Sequence, residues 1–260
     1  MIRRGVLTGL GGGAGVVSGL IAAAALATPS APNARFEISQ ELEARVAVHH
    51  DLFVNAGRSL DDFCRLTADT IQILDPVVLE LSRFGGEHQS VPFSAIERAY
   101  TRTERLVPGL SLVATEEVMQ TGIDYRALAK LGPPEARPLL RAMGNFELGA
   151  EGIASWGVRV TDYSACQAPE RGRAALAALV KSWSDAPDCL REALRARLDD
   201  ELETMTDWGC FCAERAPALA AVRKSARLLK GLAGTRGPEL ADRWLDRVRA
   251  PDTRFTCHPS

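Results

Sequence analysis

Apolar residues recur at three- and four-residue intervals through most of the chain beyond residue 36, and that spacing commits it to helices. Ile38, Leu42, Val46, His49 and Phe53 set the pattern, which predicts a first helix over 37–56 with one face turned to a core. Gly57 ends it. Ser59-Leu60-Asp61-Asp62 restarts the helix with a capping oxygen and an acid in the first turn. The second helix carries Phe63, Leu66, Ile71, Leu74, Val78 and Leu81. Pro76 should kink it, because proline removes a backbone donor, and Gly85-Gly86 should stop it. Ser94-Ala95-Ile96-Glu97 has the form of a capping box opening a third helix to Val107. Shorter helices are expected over 111–121, 124–131 and 135–143, and longer ones over 170–184, 187–207, 217–231 and 238–249. Only Trp156 to Val160 has the look of a strand. Aromatics are 6% of the chain, which agrees with helices, since aromatic and β-branched residues favour strands. The expected fold is all-α: an irregular multi-helix bundle over residues 36–260, one domain, with the glycine-rich stretch 144–168 as the place for any sub-boundary.

The first 35 residues differ in kind. Arg3 and Arg4 precede an apolar, glycine-rich run from Gly5 to Ala25, which ends in the small-residue pattern Ala25-Leu26-Ala27. This order of basic, apolar and small residues marks residues 1–27 as a secretory signal peptide. Residues 28–35 then form a linker with Pro29 and Pro32. Arg3-Arg4-Gly5-Val6-Leu7 resembles a twin-arginine leader, with Ile2 where Ser or Thr is usual and Val6 where Phe is usual. The resemblance implies export of an already folded chain. The expected location is periplasmic or extracellular. An uncleaved leader would instead anchor the chain, since the apolar run is about 20 residues, the length of a membrane span.

Gly9-Leu10-Gly11-Gly12-Gly13-Ala14 matches G-x-G-x-x-A, yet no acid follows about 20 residues later to bind a ribose. No cofactor is expected. The formal net charge is −2, and it becomes −4 if Arg3 and Arg4 are removed. Neither value offers the positive surface that displaces phosphate counterions, so nucleic acid is not an expected partner. A membrane enters only through an uncleaved leader.

Six cysteines, all beyond the leader, are an even set in a chain addressed for export, which points to disulfides. A helix over 170–184 is about 22 Å long, so Cys166 and Cys189 fall at its opposite ends, too far apart to bridge. The next helix returns and brings Cys210 and Cys212 beside Cys166. Cys166 is therefore expected to pair with one of those two, Cys257 with the other, and Cys64 with Cys189. Cys210-Phe211-Cys212 lacks the C-x-x-C spacing of redox and zinc sites, and no metal is expected.

Candidate catalytic residues are few. His49-His50-Asp51 is the polar cluster of the first helix, with His50 and Asp51 the pair available for proton transfer, while His49 falls on the apolar face. Glu147 and Glu151, with Asp162, supply carboxylates of the kind that cleave glycosides when held at the right separation. Asp200, Glu203 and Asp207 share a helix face that reads as solvated. The chain contains no Glu-x-x-His, H-E-x-x-H, G-x-S-x-G or P-loop. The expected function is therefore binding of an envelope component or secreted protein. An exported hydrolase built on scattered carboxylates or on His49/His50/Asp51 is one alternative, and a membrane-anchored structural envelope protein is another.

Overall fold

The computed structural model describes residues 36–87, 91–114, 119–146, 157–161 and 164–255. Among them are nine helices and two small sheets. The chain is mainly helical, as the periodicity predicts. Helix α1, Gln40–Asn55, starts where the Ser39 hydroxyl accepts from Leu42 N at 3.2 Å, with Glu41 and Glu43 in the first turn. Both devices offset the unpaired N–H groups and positive dipole of a helix start. Ser59 does the same for α2, Leu60–Glu87: its Oγ accepts from Asp62 N at 3.1 Å and donates to Asp62 Oδ2 at 2.7 Å.

At 28 residues α2 is the spine of the molecule. Its apolar side buries Phe63, Leu66, Ile73, Leu74, Val77 and Leu81. Each such side chain contributes about 1.5–3 kcal/mol of burial. Thr67 and Thr70 also lie on that side, fully buried, their hydroxyls donating to the carbonyls of Phe63 and Leu66. Helices α1, α3 (Phe93–Leu106) and α7 (Asp188–Thr206) all pack against α2.

Two expected boundaries are corrected. Helix α2 continues through Gly85 to Glu87. There Phe84 meets Phe36 edge-on at 5.2 Å, and a Cβ on Gly85 would stand 3.9 Å from the Ile96 side chain of α3. Packing at that end outweighs the cost of about 1 kcal/mol for a helical glycine. Helix α3 starts one residue before Ser94: Pro92 is its cap, and the capping box at Ser94 makes no side-chain cap bond.

The expected helix over 111–121 is a β-hairpin instead. Strand β1, Leu110–Ala114, pairs antiparallel with β2, Met119–Ile123, with Leu110 opposite Ile123 and Ala114 opposite Met119. Along β1, Leu110 and Leu112 are buried while Val113 is exposed. That alternation of period two is the strand pattern that the apolar content concealed. Gly109, at φ 97°, turns the chain out of α3, and its carbonyl accepts from Asp124 N at 2.8 Å to close the hairpin base. Leu128 and Thr70 crowd that glycine at 3.2 Å from where a Cβ would stand, so both space and backbone select Gly.

Helices α4 (Tyr125–Leu131) and α5 (Arg137–Phe146) bridge the two ends of the molecule, α5 packing on α6 (Pro169–Asp185). Helix α8 (Arg215–Leu229) lies between α6 and α9 (Gly237–Arg249), and α9 returns to α7. The second sheet has the order β3 (Gly157–Thr161), β4 (Ser164–Gln167), β5 (Cys210–Phe211), β6 (Arg254–Phe255). Strand β3 lies where Trp156 to Val160 predicts one. At the centre of this sheet Gln167 is fully buried, with both ends of its amide hydrogen-bonded. Its Nε2 donates to Met205 O at 2.7 Å, its Oε1 accepts from Trp244 Nε1 at 2.9 Å, and its carbonyl accepts from Cys212 N. One hydrophobic cluster runs from Phe36 to Val248 through both ends of the molecule.

Cys64 is bonded to Cys189, tying α2 to α7, and Cys166 to Cys210, tying β4 to β5. Cys212 is oxidised as well. Its expected partner, Cys257, lies outside the described residues.

Candidate functional site

The three residues of the His49-His50-Asp51 cluster point three ways, because successive helical residues turn by about 100°. His49 is fully buried against α2. Its Nδ1 lies 2.8 Å from Asp69 Oδ2 and its Nε2 lies 2.7 Å from the carbonyl of Pro108. Both ring nitrogens are therefore engaged by oxygen atoms of the protein. Arg45 stands 3.7 Å from the other oxygen of Asp69. With both nitrogens occupied, His49 has no lone pair for a metal or a substrate proton. It is a clamp joining α1, α2 and the loop after α3. Asp51 is exposed and accepts from Asn55 one turn on. The structure thus separates Asp51 from His50.

His50 faces a groove of about 870 Å³ between α1 and α3. One wall is α1, with Glu43, Val46, Ala47 and His50; the other is α3, with Arg102, Arg105 and Leu106; Glu37 and Ile38 close one end. The two helices run in the same sense. Arg102 donates to Phe36 O just before α1, and His49 meets Pro108 just past α3. Among the described residues, the side chains of Glu37, Glu43, His50 and Arg105 make no hydrogen bond or ion pair. Charge of both signs therefore lines the groove, around an apolar strip and in contact with water.

Two further grooves exist among the described residues. One, of about 520 Å³, lies between α2 and α7 over the Cys64–Cys189 bridge and is walled by Ala68, Ala193 and Ala196. The other, of about 490 Å³, lies beside Trp183 and Arg191. There Trp183 Nε1 already donates to Ala233 O and Arg191 pairs with Asp188.

Of the acidic face of α7, Asp200 and Asp207 are exposed, as a solvated face expects, while Glu203 is drawn into ion pairs and Asp199 beside it into a backbone hydrogen bond. Glu203 meets Arg236 at 2.8 Å and Arg243 at 2.9 Å, Glu239 meets Arg243 at 2.7 Å, and Asp199 accepts from Arg236 N at 2.6 Å. Hydrogen bonds from Arg236 and Arg243 hold the Glu203 carboxyl below the usual range, and Arg236 does the same for Glu239. Burial pushes Asp199 the other way, raising it against its bond to Arg236. No group of three or more His, Cys, Asp or Glu among the described residues is arranged to hold a metal. The carboxylate candidates Glu147, Glu151 and Asp162 lie outside the described residues.

Glu43, Arg102 and Arg105 were not singled out by sequence pattern. Glu43, Val46, Ala47 and His50 do share a stripe at i, i+3, i+4 and i+7. What gives the stripe a facing wall is the placement of α3 on the same spine, which no local pattern states. No family model, no curated protein and no solved structure matches the chain.

Proposed function

We propose that this chain is an exported, cystine-stapled helical protein that acts by binding an envelope or secreted partner through the α1–α3 groove. The observation that carries the reading is the set of unpaired Glu43, His50 and Arg105 side chains around Val46, Ala47 and Leu106. Charged groups left without partners beside an apolar strip are what a polar-rimmed binding surface offers. Two disulfides joining described residues support an oxidising compartment. The leader sequence supports export, and its resemblance to twin-arginine leaders supports that route. No helix among the described residues is long and apolar enough to cross a membrane.

The hydrolase alternative has a weaker footing. Its histidine and acid do not converge: His49 is spent on Asp69 and Pro108, and Asp51 turns to Asn55. The protein taken from its native envelope fraction should show an intact mass starting near Thr28, with alkyl groups added only after reduction. Its native mass should include a protein partner, lost in Leu106→Arg. A full-length mass with free thiols overturns the export reading. A partner-free protein that turns over ester, glycoside or phosphate substrates, with turnover abolished by His50→Ala, overturns binding in favour of hydrolysis.

A further inference from the structure

Charge is divided unevenly along this chain. Residues 36–87, which form α1 and α2, carry ten Asp or Glu against four Arg. Residues 215–236, which form α8 and the turn after it, carry Arg215, Arg223, Lys224, Arg227, Lys230 and Arg236 and no acid. Helix α8 packs on α6 and α9, α9 on α7, and α7 on α2. The acidic and basic segments therefore stand at opposite ends of a row of packed helices.

Four of these cations share one side of α8. At about 100° per residue, Arg223, Lys224, Arg227 and Lys230 fall within an arc of about 120°, and all four are exposed. The opposite side of the helix buries Ala221, Val222, Ala226 and Leu229, so packing fixes which way the cations point. The acids that reach this side are already engaged. Glu170 is held by Arg173 at 2.7 Å and lies 3.9 Å from Lys224, Asp242 meets Lys230 at 2.8 Å, and Asp246 pairs with Arg249. Arg223 and Arg227 make no hydrogen bond or ion pair among the described residues, so the face carries an excess of positive charge.

The chemistry of the face selects its partner. None of the exposed large apolar side chains among the described residues lies on α8, and Ala216 and Ala220 fill the spaces beside its cations. A protein partner needs an apolar centre that can be stripped of water, and single-stranded nucleic acid needs exposed aromatics for its bases to stack on. Cations on long stems need only a broad sheet of negative charge in contact with water, which the headgroups of an anionic bilayer present. The acids of α1 and α2 do not oppose this contact. Salt cuts their field over about 8 Å, and α9 and α7, at about 8–10 Å per packed helix, stand between.

We infer that the Arg223–Lys230 side of α8 is a membrane-docking surface, which seats the protein on a bilayer rich in anionic phospholipid and turns α1 and the α1–α3 groove away from it. This docking needs no leader, and it is independent of the role given to the groove.

The test uses wild type and variants isolated from the native envelope fraction with their disulfides intact. Each is sedimented with vesicles of equal parts phosphatidylglycerol and phosphatidylcholine, and with vesicles of phosphatidylcholine alone. The wild type should sediment with the anionic vesicles, be released as salt is raised, and stay in solution beside the neutral ones. Arg223→Glu/Arg227→Glu should weaken binding to anionic vesicles about a hundredfold, because two cations leave the surface and two acids are brought to it. Arg58→Glu/Arg83→Glu makes the same change in net charge on the acidic segment, at two exposed arginines whose side chains make no hydrogen bond or ion pair among the described residues. It should change vesicle binding by less than about twofold. A wild type that ignores anionic vesicles, or binds neutral ones equally, overturns the inference. So does an equal loss of binding in the two double variants. Binding to polyglutamate or DNA in place of the anionic vesicles overturns the lipid surface in favour of an acidic polymer. Leu106→Arg, which removes the groove's protein partner, should leave vesicle binding unchanged, so the two readings fail separately.

Discussion

His49 and Asp69 join α1 to α2 through a 2.8 Å contact in which the ring is fully buried and the carboxylate still reaches water. Losing the ring leaves the Pro108 carbonyl without its donor, while Asp69 keeps its access to water and Arg45 at 3.7 Å. His49→Leu should therefore cost about 1–3 kcal/mol, the penalty of one unsatisfied buried acceptor. Asp69→Asn should cost about half as much, since an amide can still donate to a neutral ring. Urea denaturation with the disulfides intact measures both. Equal losses would show that packing, not the paired charge, holds α1 in place.

The two described disulfides close loops of different length, with sequence separations of 125 for Cys64–Cys189 and 44 for Cys166–Cys210. Chain entropy assigns the longer loop about 5 kcal/mol and the shorter about 4. The double variant Cys64→Ala/Cys189→Ala should have the lower denaturant midpoint of the two paired-alanine proteins. The reverse order would mean that structure persists in the unfolded chain between α2 and α7.

The ion-pair network between α7 and α9 should make the protein lose stability in acid. Glu203 and Glu239 titrate below the usual 4.5 in the folded state. The unfolded chain therefore takes up their protons first as the pH falls. Their contribution is present above about pH 4.5 and is lost as the pH drops through the depressed folded values. Asp199, raised by burial, works in the opposite direction: it subtracts stability at neutral pH and returns it in acid. Thermal midpoints between pH 7 and pH 3 should fall less steeply for Glu203→Gln than for the wild type. The difference should shrink in high salt, because these side chains face solvent.

Two glycines should answer alanine in opposite ways. A Cβ on Gly132 would stand 2.6 Å from the Phe63 ring, in the interior where the turn between α4 and α5 meets α2. Gly132→Ala should cost about 1–3 kcal/mol by overpacking. Gly57, after α1, has nothing within 4 Å of that position and an ordinary backbone angle. Gly57→Ala should be neutral or should stabilise by about 0.5 kcal/mol through the unfolded chain. Thermal melts of the pair test the assignment.

The sequence by itself determined the helical class and the place where α2 begins, and it set Cys166 apart from Cys189 and beside Cys210 and Cys212; Cys64–Cys189 followed only as the pair left over. The first three rest on something local: apolar residues at helical spacing, a hydroxyl three residues ahead of an amide, the length of a helix between two cysteines. It misplaced 111–121 because Leu110, Leu112 and Ile123 are equally apolar in a strand and a helix, and only a partner strand and the turn at Gly109 choose between them. It misjudged Gly85-Gly86 because the packing of Phe84 on Phe36 joins residues far apart in the chain. The tertiary structure alone decided which residues form the groove. In the sequence His50 reads as a proton-transfer candidate beside Asp51, and nothing singles out Arg105. They share a wall because α1 and α3 are both held to α2, and contacts between residues so distant in sequence are set by how buried faces fit together, not by any spacing along the chain.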